Sequence, residues 1–423
     1  MKKFLAFILI VAMLSAAGYY VYQKREQLLT ADPVQTTSTV SSTPIPTSWP
    51  DSEFRAIWIN FNEMGSLING KTEEQYTADI IEMLEQTQAS GLNCMIIHMR
   101  SHSDAFYPSE LFPWSDKVAG QQGQGVDYDP LAIFIEQAHT RNLQVHAWIN
   151  PYRVSATNTD PTALAENNPA RIYMTDDDTS NDHWAVAAAG GIYYNPAVPQ
   201  IRELVLDGVR EILRNYEVDG IHYDDYFYPT TDAAFDQISY ETYQSETGDR
   251  ALPLDEWRRI QVDLLISGTY QAVQQLRPQA VFGVSPSASI ERNKTQFYAD
   301  VEKWGVQPGY VDYLCPQLYF GFSYPDEAFQ FNKLADEWSA LVQNDSVKLC
   351  YGLAPYKIGT QDAGSNEWIE QHDLLKRQVE YIRTKGNCAG FALYNYDAFF
   401  RQDELHQQQR ENLLGILIEQ MEE

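Results

Sequence analysis

From Arg55 to the C-terminus the chain repeats one pattern eight times: a short apolar run rich in β-branched and aromatic residues, then a longer stretch of helical period. The strand candidates are residues 55–59, 93–99, 143–150, 220–226, 281–285, 311–319, 348–356 and 390–396. Helical stretches fall at 73–89, 131–141, 198–216, 255–276, 326–342 and 368–385, with a last one at 404–421. Only the helix after the fifth strand is weakly marked. Strands that are apolar on both faces belong to a parallel sheet covered by helices, and eight β-α units in succession predict a closed (β/α)8 barrel. An open doubly wound sheet is the alternative, but it usually carries a glycine-rich phosphate loop after its first strand, and FRAIWINFNEMGS contains none.

A barrel of this kind places its active site at the carboxyl ends of the strands. Here those ends are polar and aromatic while the strand bodies are apolar: Trp58 and Asn60, Arg100 and Asp104, Asn150, Tyr152 and Arg153, Gln317 and Tyr319, Tyr356, then Tyr394, Asn395 and Asp397. An aromatic content of 13%, with 27 Tyr and 9 Trp, suits stacking on sugar rings, and a purely structural aromatic core would not concentrate these residues at strand ends. Thirty Lys+Arg against 58 Asp+Glu leave a formal charge of -28, which argues against nucleic acid or anionic lipid as partner and favours a neutral substrate such as a glycan.

The fourth strand runs into VDGIHYDDYFYP, residues 218–229. Alternation puts His222, Asp224 and Tyr226 on the inward face and Ile221 and Tyr223 on the outward one, with Asp225 at the strand's exit. Adjacent carboxylates disfavour simultaneous ionisation, so one of the two holds a proton near neutral pH. Glycosidic cleavage needs that division: an ionised carboxylate for the developing oxocarbenium ion and an acid for the leaving oxygen. Asp224 is the expected nucleophile or stabiliser, and Asp225 a proton donor or the residue that tunes Asp224. Sequence neighbours often point apart, so Asp104, Asp397 and Glu291 are further candidates for the second carboxylate. The bland alternative is an Asp-Asp pair that caps the next helix or binds loop amides.

His98, His102, His146 and His222 lie on or near strands two to four, but no His-x-His pair marks a metal-dependent amidohydrolase, and they read as polar cleft lining. Cys94, Cys315, Cys350 and Cys388 form no CxxC pattern and read as small buried hydrophobes, with pairing of neighbouring strand cysteines as the alternative. No metal or organic cofactor is expected. Upstream, Lys2 and Lys3 precede an apolar run over 4–22, with Ser15-Ala16-Ala17 as a small-residue cleavage site and Lys24-Arg25 after it. Residues 1–28 therefore read as a signal peptide or membrane anchor, 29–52 as a Ser/Thr/Pro-rich linker and 53–423 as the catalytic domain, placed outside the cytoplasm.

The strand-four motif resembles the DGIDIDWE strand of chitinase-type barrels, with Tyr226 where that family has its acid glutamate. A longer set of motifs, RSHSDAFYPSELFPWS, DYDPLAIFIEQAHTRNLQVHAWINPYRVS, YYNPAVPQIRELVLDGVREILRNYEVDGIHYDDYFYP and VDYLCPQLYF, resembles the bacterial glycosyl-hydrolase-like family ten over residues 54–399. The resemblance implies a (β/α)8 glycosidase of the bacterial envelope, some members of which cleave peptidoglycan strands that have lost their stem peptides. Carried over residue by residue, it points to Arg100, Asp104, Tyr107, His146, Trp148, Asn150, Pro151, Tyr152, Arg153, Asn195, Asp224, Asp225, Tyr226, Tyr228, Gln317 and Tyr319. With His222 and Tyr394 from the strand ends, these are the candidate catalytic and sugar-binding residues. Two stretches depart from the family pattern: HMRSHSDAFY, where Gln-Val-Arg-Pro is usual, and SPSASIERN, where Ser-Pro-Phe-Gly and Trp-Arg-Asn are usual. The expectation is a glycoside hydrolase acting on envelope glycan, most simply peptidoglycan. The alternatives are a catalytically silent glycan-binding module, or a hydrolase of another extracellular polysaccharide. The acidic segment 155–194 is expected to be a loop over the cleft or a disordered insertion.

Overall fold

The computed structural model describes residues 49–50 and 52–418. The expected signal or anchor at 1–28 and all of the linker except Trp49, Pro50 and Ser52 lie outside the described residues. In chain order the strands are β1 (Phe54–Ile59), β2 (Cys94–Arg100), β3 (Gln144–Ile149), β4 (Arg153–Ser155), β5 (Ala185–Ala188), β6 (Gly191–Tyr194), β7 (Gly220–Tyr223), β8 (Val281–Val284), β9 (Tyr313–Leu314), β10 (Lys348–Leu353) and β11 (Cys388–Leu393). Eight of them close into a parallel barrel in the order β1-β11-β10-β9-β8-β7-β3-β2, so the expected (β/α)8 architecture is the observed one. Helices Glu73–Ala89, Pro199–Asn215 and Leu254–Leu276 are among those that cover it. The first starts where Thr72 and Gln75 form a reciprocal capping box. After β8, where the helical period is weak, there are only the short helices Ile290–Thr295 and Val301–Trp304.

Several strands are shorter than expected, β10 among them, and two of these bear on the site. β7 stops at Tyr223, so Asp224 to Tyr226 start the following loop, and β9 is two residues long. Beyond β9, Pro316 has no N–H to donate, and Gln317 meets the sheet through isolated bridges to Ser287 and Gly352. Segment 155–194 is neither a simple loop nor disordered. It folds into an antiparallel sheet in the order β4-β6-β5 with the helix Pro169–Thr175, tied to the barrel rim by Asn168 Nδ2, which donates to Ser103 O at 2.9 Å. All four cysteines are free, three of them buried. Among the described residues no helix is long and apolar enough to cross a membrane.

Alternation along β1 shows how the core divides. Ile57 and Ile59 join the layer between strands and helices, whereas Phe54, Ala56 and Trp58 point into the barrel with Cys94, Ile96, Trp148, Tyr313 and Cys350. His146 and His222 share that interior and are fully buried. Large polar rings fit there because the inner faces of neighbouring strands carry glycine. A Cβ on Gly283 would lie 2.0 Å from the Tyr313 ring, and one on Gly220 would lie 2.8 Å from the His146 ring.

Candidate active site

The interior rings form a hydrogen-bonded ladder leading up to the open end of the barrel. The Trp58 indole N–H donates to His222 Nε2 at 3.2 Å, which puts the His222 proton on Nδ1. That proton is donated to Tyr313 Oη at 2.8 Å, so the Tyr313 hydroxyl proton is free to go to His146 Nδ1 at 2.9 Å. Burial keeps both imidazoles neutral, pushing His146 down to about 4 and His222 well below its ordinary value. The ladder fixes Trp58 at the cleft floor. Tyr313→Phe leaves two buried imidazole nitrogens short of a partner and should cost about 2–4 kcal/mol, read as a lower thermal midpoint with the barrel otherwise intact.

Above the ladder lies a chamber of about 380 Å³ lined by Trp58, Trp148, His222, Asp224, Ser285 and Tyr394. A second, more open chamber of about 540 Å³ is lined by Asp225, Ser287, Ser289, Arg292, Gln296 and Lys357. Tyr226, Gln317, Tyr319 and Tyr356 line both. The two aspartates therefore stand at the junction of the chambers, one on each side. Tyr226 and Tyr356 are 48% and 38% exposed, as aromatic lips awaiting a flat partner would be.

Asp224 is buried. Its Oδ1 accepts from the Tyr226 N–H at 3.3 Å, and its Oδ2 has no partner among the described residues. Burial, and next the charge of Asp225, push its carboxyl well above the usual range, against the pull of Arg153, the Tyr226 amide and the Trp148 indole. Burial also raises Asp225, but a backbone amide, Gln317, Arg292 and Arg153 favour its charge. The pair therefore shares one proton near neutral pH. The electrostatics favour that proton on the deeper Asp224, the opposite order from the one suggested by the sequence. Arg153 donates through Nε to Ser101 O at 3.0 Å, with its guanidinium 5.1 Å from the Tyr226 ring, and so stands over the pair as a fixed cation. Trp148 is held by its indole N–H donating to Asn150 Oδ1 at 3.0 Å and by stacking on His98 with centroids 3.6 Å apart.

Of the residues singled out from the sequence, Asp224, Asp225, Trp148, His222, Tyr226, Gln317, Tyr319 and Tyr394 come together here, with Asn150 and Arg153 behind them. The others lie elsewhere. Arg100 is buried over Phe112, 4.0 Å from that ring, and faces Gly208 of the helix Pro199–Asn215. His146 is in the ladder below the cleft. Tyr152 is buried outside both chambers, Tyr228 packs on Arg258, and Asn195 binds His183 O and Ser239 Oγ. Asp104 lines a third cavity of about 540 Å³ with Phe61 and His102, accepts from Gln122, and is raised by burial to about 6. It lines neither chamber at the pair, so the nearest partner of Asp224 is Asp225. Glu291 lines the outer chamber, and Asp397 lines neither chamber, its amide N–H donating to Glu63. Glu63 was not singled out. It accepts from the amides of Asn60 and Asp397 and joins the loops after the first and last strands, and its sequence signal was the Asn60-x-x-Glu63 capping box. Among the described residues no group of three or more His, Cys, Asp or Glu side chains is placed to hold a metal ion.

The sequence profile of the family Glycosyl hydrolase-like 10 matches residues 53–370. The chain is 34% identical over 362 residues to the glycosyl hydrolase YngK of Bacillus subtilis, covering 79% of this chain and 67% of that protein. It is 31% identical over 362 residues to the glycosyl hydrolase DigH of Escherichia coli, covering 80% of this chain and 78% of that protein. Among solved structures, the glycoside hydrolase domain of PgaB (BpsB) from Bordetella bronchiseptica superposes with a TM-score of 0.56 at 12% identity, covering 86% of this chain and 99% of that one. An endo-beta-1,4-mannanase from Thermotoga petrophila gives 0.52 at 12% identity, covering 87% and 77%. At these identities the structural likeness speaks for the barrel fold alone.

Proposed function

This chain belongs to the family Glycosyl hydrolase-like 10 and is a glycosidase, and from that premise we propose that it cleaves glycosidic bonds in bacterial envelope glycan, with peptidoglycan strands as substrate. The observation that carries the reading is the position of Asp224 and Asp225, which share a proton at the junction of two chambers walled by Trp58, Trp148, Tyr226, Tyr319, Tyr356 and Tyr394. A sugar in each chamber puts the bridging oxygen beside the pair. The shared proton passes to that oxygen as the bond to the anomeric carbon breaks, and the carboxylate left behind stabilises the positive charge on the ring until water completes the hydrolysis. The open outer chamber suits a polymer that continues beyond the site. A location outside the cytoplasm belongs to the same proposal. It is supported by the basic and then apolar pattern of residues 2–22, and the reaction's substrate lies there.

The test is mass spectrometry of purified glycan strands, with and without stem peptides, after incubation with the protein. New reducing-end fragments support the reading. Intact strands with retained binding would instead favour a silent glycan-binding module, and cleavage confined to another polysaccharide would move the substrate. The pH profile is a second readout. Because both carboxyls are raised, the state with one shared proton persists above the ordinary carboxylate range, and kcat/KM should stay high into neutral pH before its alkaline limb falls. An alkaline limb already complete near pH 5 would show that no raised acid takes part.

A further inference from the structure

We propose that the outer chamber is a subsite for a sugar bearing a free carboxylate, and that Arg292 is the residue that reads this charge. The proposal deepens the envelope-glycan reading, on which the identity of the sugar rests. Arg292 stands on the short helix Ile290–Thr295, at the end of SPSASIERN, where Arg292-Asn293 keep the usual Arg-Asn and the residues before them depart from the family pattern. Its Nε donates to Gln296 Oε1 at 3.0 Å and its guanidinium carbon lies 5.1 Å from the Phe297 ring centroid, which orients the group. Neither Nη atom has a hydrogen-bond or ion-pair partner among the described residues, and the protein makes no carboxylate contact with this guanidinium. Its charge reaches Asp225, one of the groups it helps keep ionised, so it lies within electrostatic range of the reacting bond.

The other charges on this chamber sharpen the assignment. Lys357 also lines it, but its ammonium is paired with Asp362 at 2.7 Å and lies over the Phe320 ring. Asp225 and Glu291 supply negative charge. Arg292 is therefore the uncommitted cation of a chamber in a chain of net charge -28, where a carboxylate ligand would otherwise be repelled. A guanidinium with two free nitrogens matches a carboxylate in a two-pronged hydrogen bond, and the hydroxyl protons of Ser287 and Ser289 and the Gln317 carbonyl oxygen face the sugar's own hydroxyls, the Gln317 NH2 being bound to Ser285 O at 3.0 Å. The overall field favours a neutral polymer, and this one position qualifies that expectation. In a peptidoglycan strand the matching group is the lactyl carboxylate of a muramic acid freed of its peptide, since a peptide-bearing lactyl group is an amide without charge. A ring carboxylate of a uronic acid offers the same chemistry from another source.

The experiment compares peptide-free strands with the same strands after their carboxylates have been converted to methylamides, using the full chain and its Arg292→Gln and Arg292→Lys variants. The parent should favour the carboxylate strand by about tenfold in kcat/KM, mostly through KM. Arg292→Gln should bring the two substrates level by losing the carboxylate strand only, and Arg292→Lys should restore part of the preference. A parent that treats both strands alike, or a Gln variant that loses both equally, overturns the proposal. If no peptidoglycan strand is cleaved, the substrate reading fails. The subsite is then judged by binding of a uronic-acid oligosaccharide and its methyl ester to Asp224→Asn and to Asp224→Asn with Arg292→Gln. An Arg292-dependent preference for the acid supports the subsite, and equal binding overturns it.

Discussion

Asp224→Asn is expected to lower kcat/KM by about 10²–10⁴-fold while leaving glycan affinity nearly intact. Asparagine keeps the shape of the side chain and the hydrogen bond from the Tyr226 amide, but it can neither hold the transferable proton nor become the carboxylate that its transfer leaves behind. The same variant carries a stability signature that separates this account from a capping role. In the folded protein the Asp224 carboxyl is raised, so above the ordinary aspartate pKa of about 4 the native state binds a proton that the unfolded chain has lost. Stability then falls as pH rises, from that value up through the folded one. Asparagine removes this penalty, so the variant should unfold at a higher temperature than the parent, by a margin that widens between pH 5 and pH 8. A helix cap predicts the reverse, a loss of stability on substitution that grows where the cap is charged. Equal pH slopes for parent and variant would show that the carboxyl is not raised, and the shared-proton chemistry would fall with it.

The strand pattern was legible because a barrel strand is buried on both faces, and six apolar residues such as FRAIWI leave little else to be. The face of Asp224 was legible for a related reason: alternation from His222 carries one residue past the end of β7, and both side chains line the inner chamber. Arg100 shows where this argument breaks. The register between β2 and β3 shifts between His98 and Arg100, and one extra residue turns the side chain from the barrel interior to the helix layer, where Gly208 makes room for it. Nothing in HMRSHSDAFY announces that bulge. Tyr152 lies three residues past the end of β3, where period-two reasoning no longer applies, and Tyr228, which only the family resemblance suggested, lies five past the end of β7. Arg292 was out of reach for another reason. It comes from a six-residue helix in the most weakly patterned part of the chain, and only the closed barrel brings it to the side of Asp225.

Gly390→Ala is expected to cost the fold about 3–5 kcal/mol, enough to lower the thermal midpoint by several degrees and to reduce soluble yield. Gly390 stands in β11 opposite Phe54 of β1, at the seam where the last barrel strand meets the first. Its φ of +150° is a conformation that L side chains rarely adopt, and a Cβ there would lie 1.9 Å from the Phe54 carbonyl oxygen and 2.8 Å from the Phe54 nitrogen. These are backbone atoms, so no rotamer change relieves the contact, and either β1 or β11 must move out of the ladder. The seam also carries function upward. Trp58 on β1 and Tyr394 just beyond β11 face each other with ring centroids 6.0 Å apart, and both wall the inner chamber. Molecules that remain folded should therefore bind glycan more weakly, although the substitution sits at the far end of the strand from Asp224. Gly386→Ala, in the turn before the same strand, is the matched control, because a Cβ there meets nothing within 4 Å. Thermal unfolding of the two variants side by side decides the matter. A large loss confined to Gly390→Ala establishes the close approach as the closing constraint of the barrel, and equal midpoints would mean that the seam yields without cost.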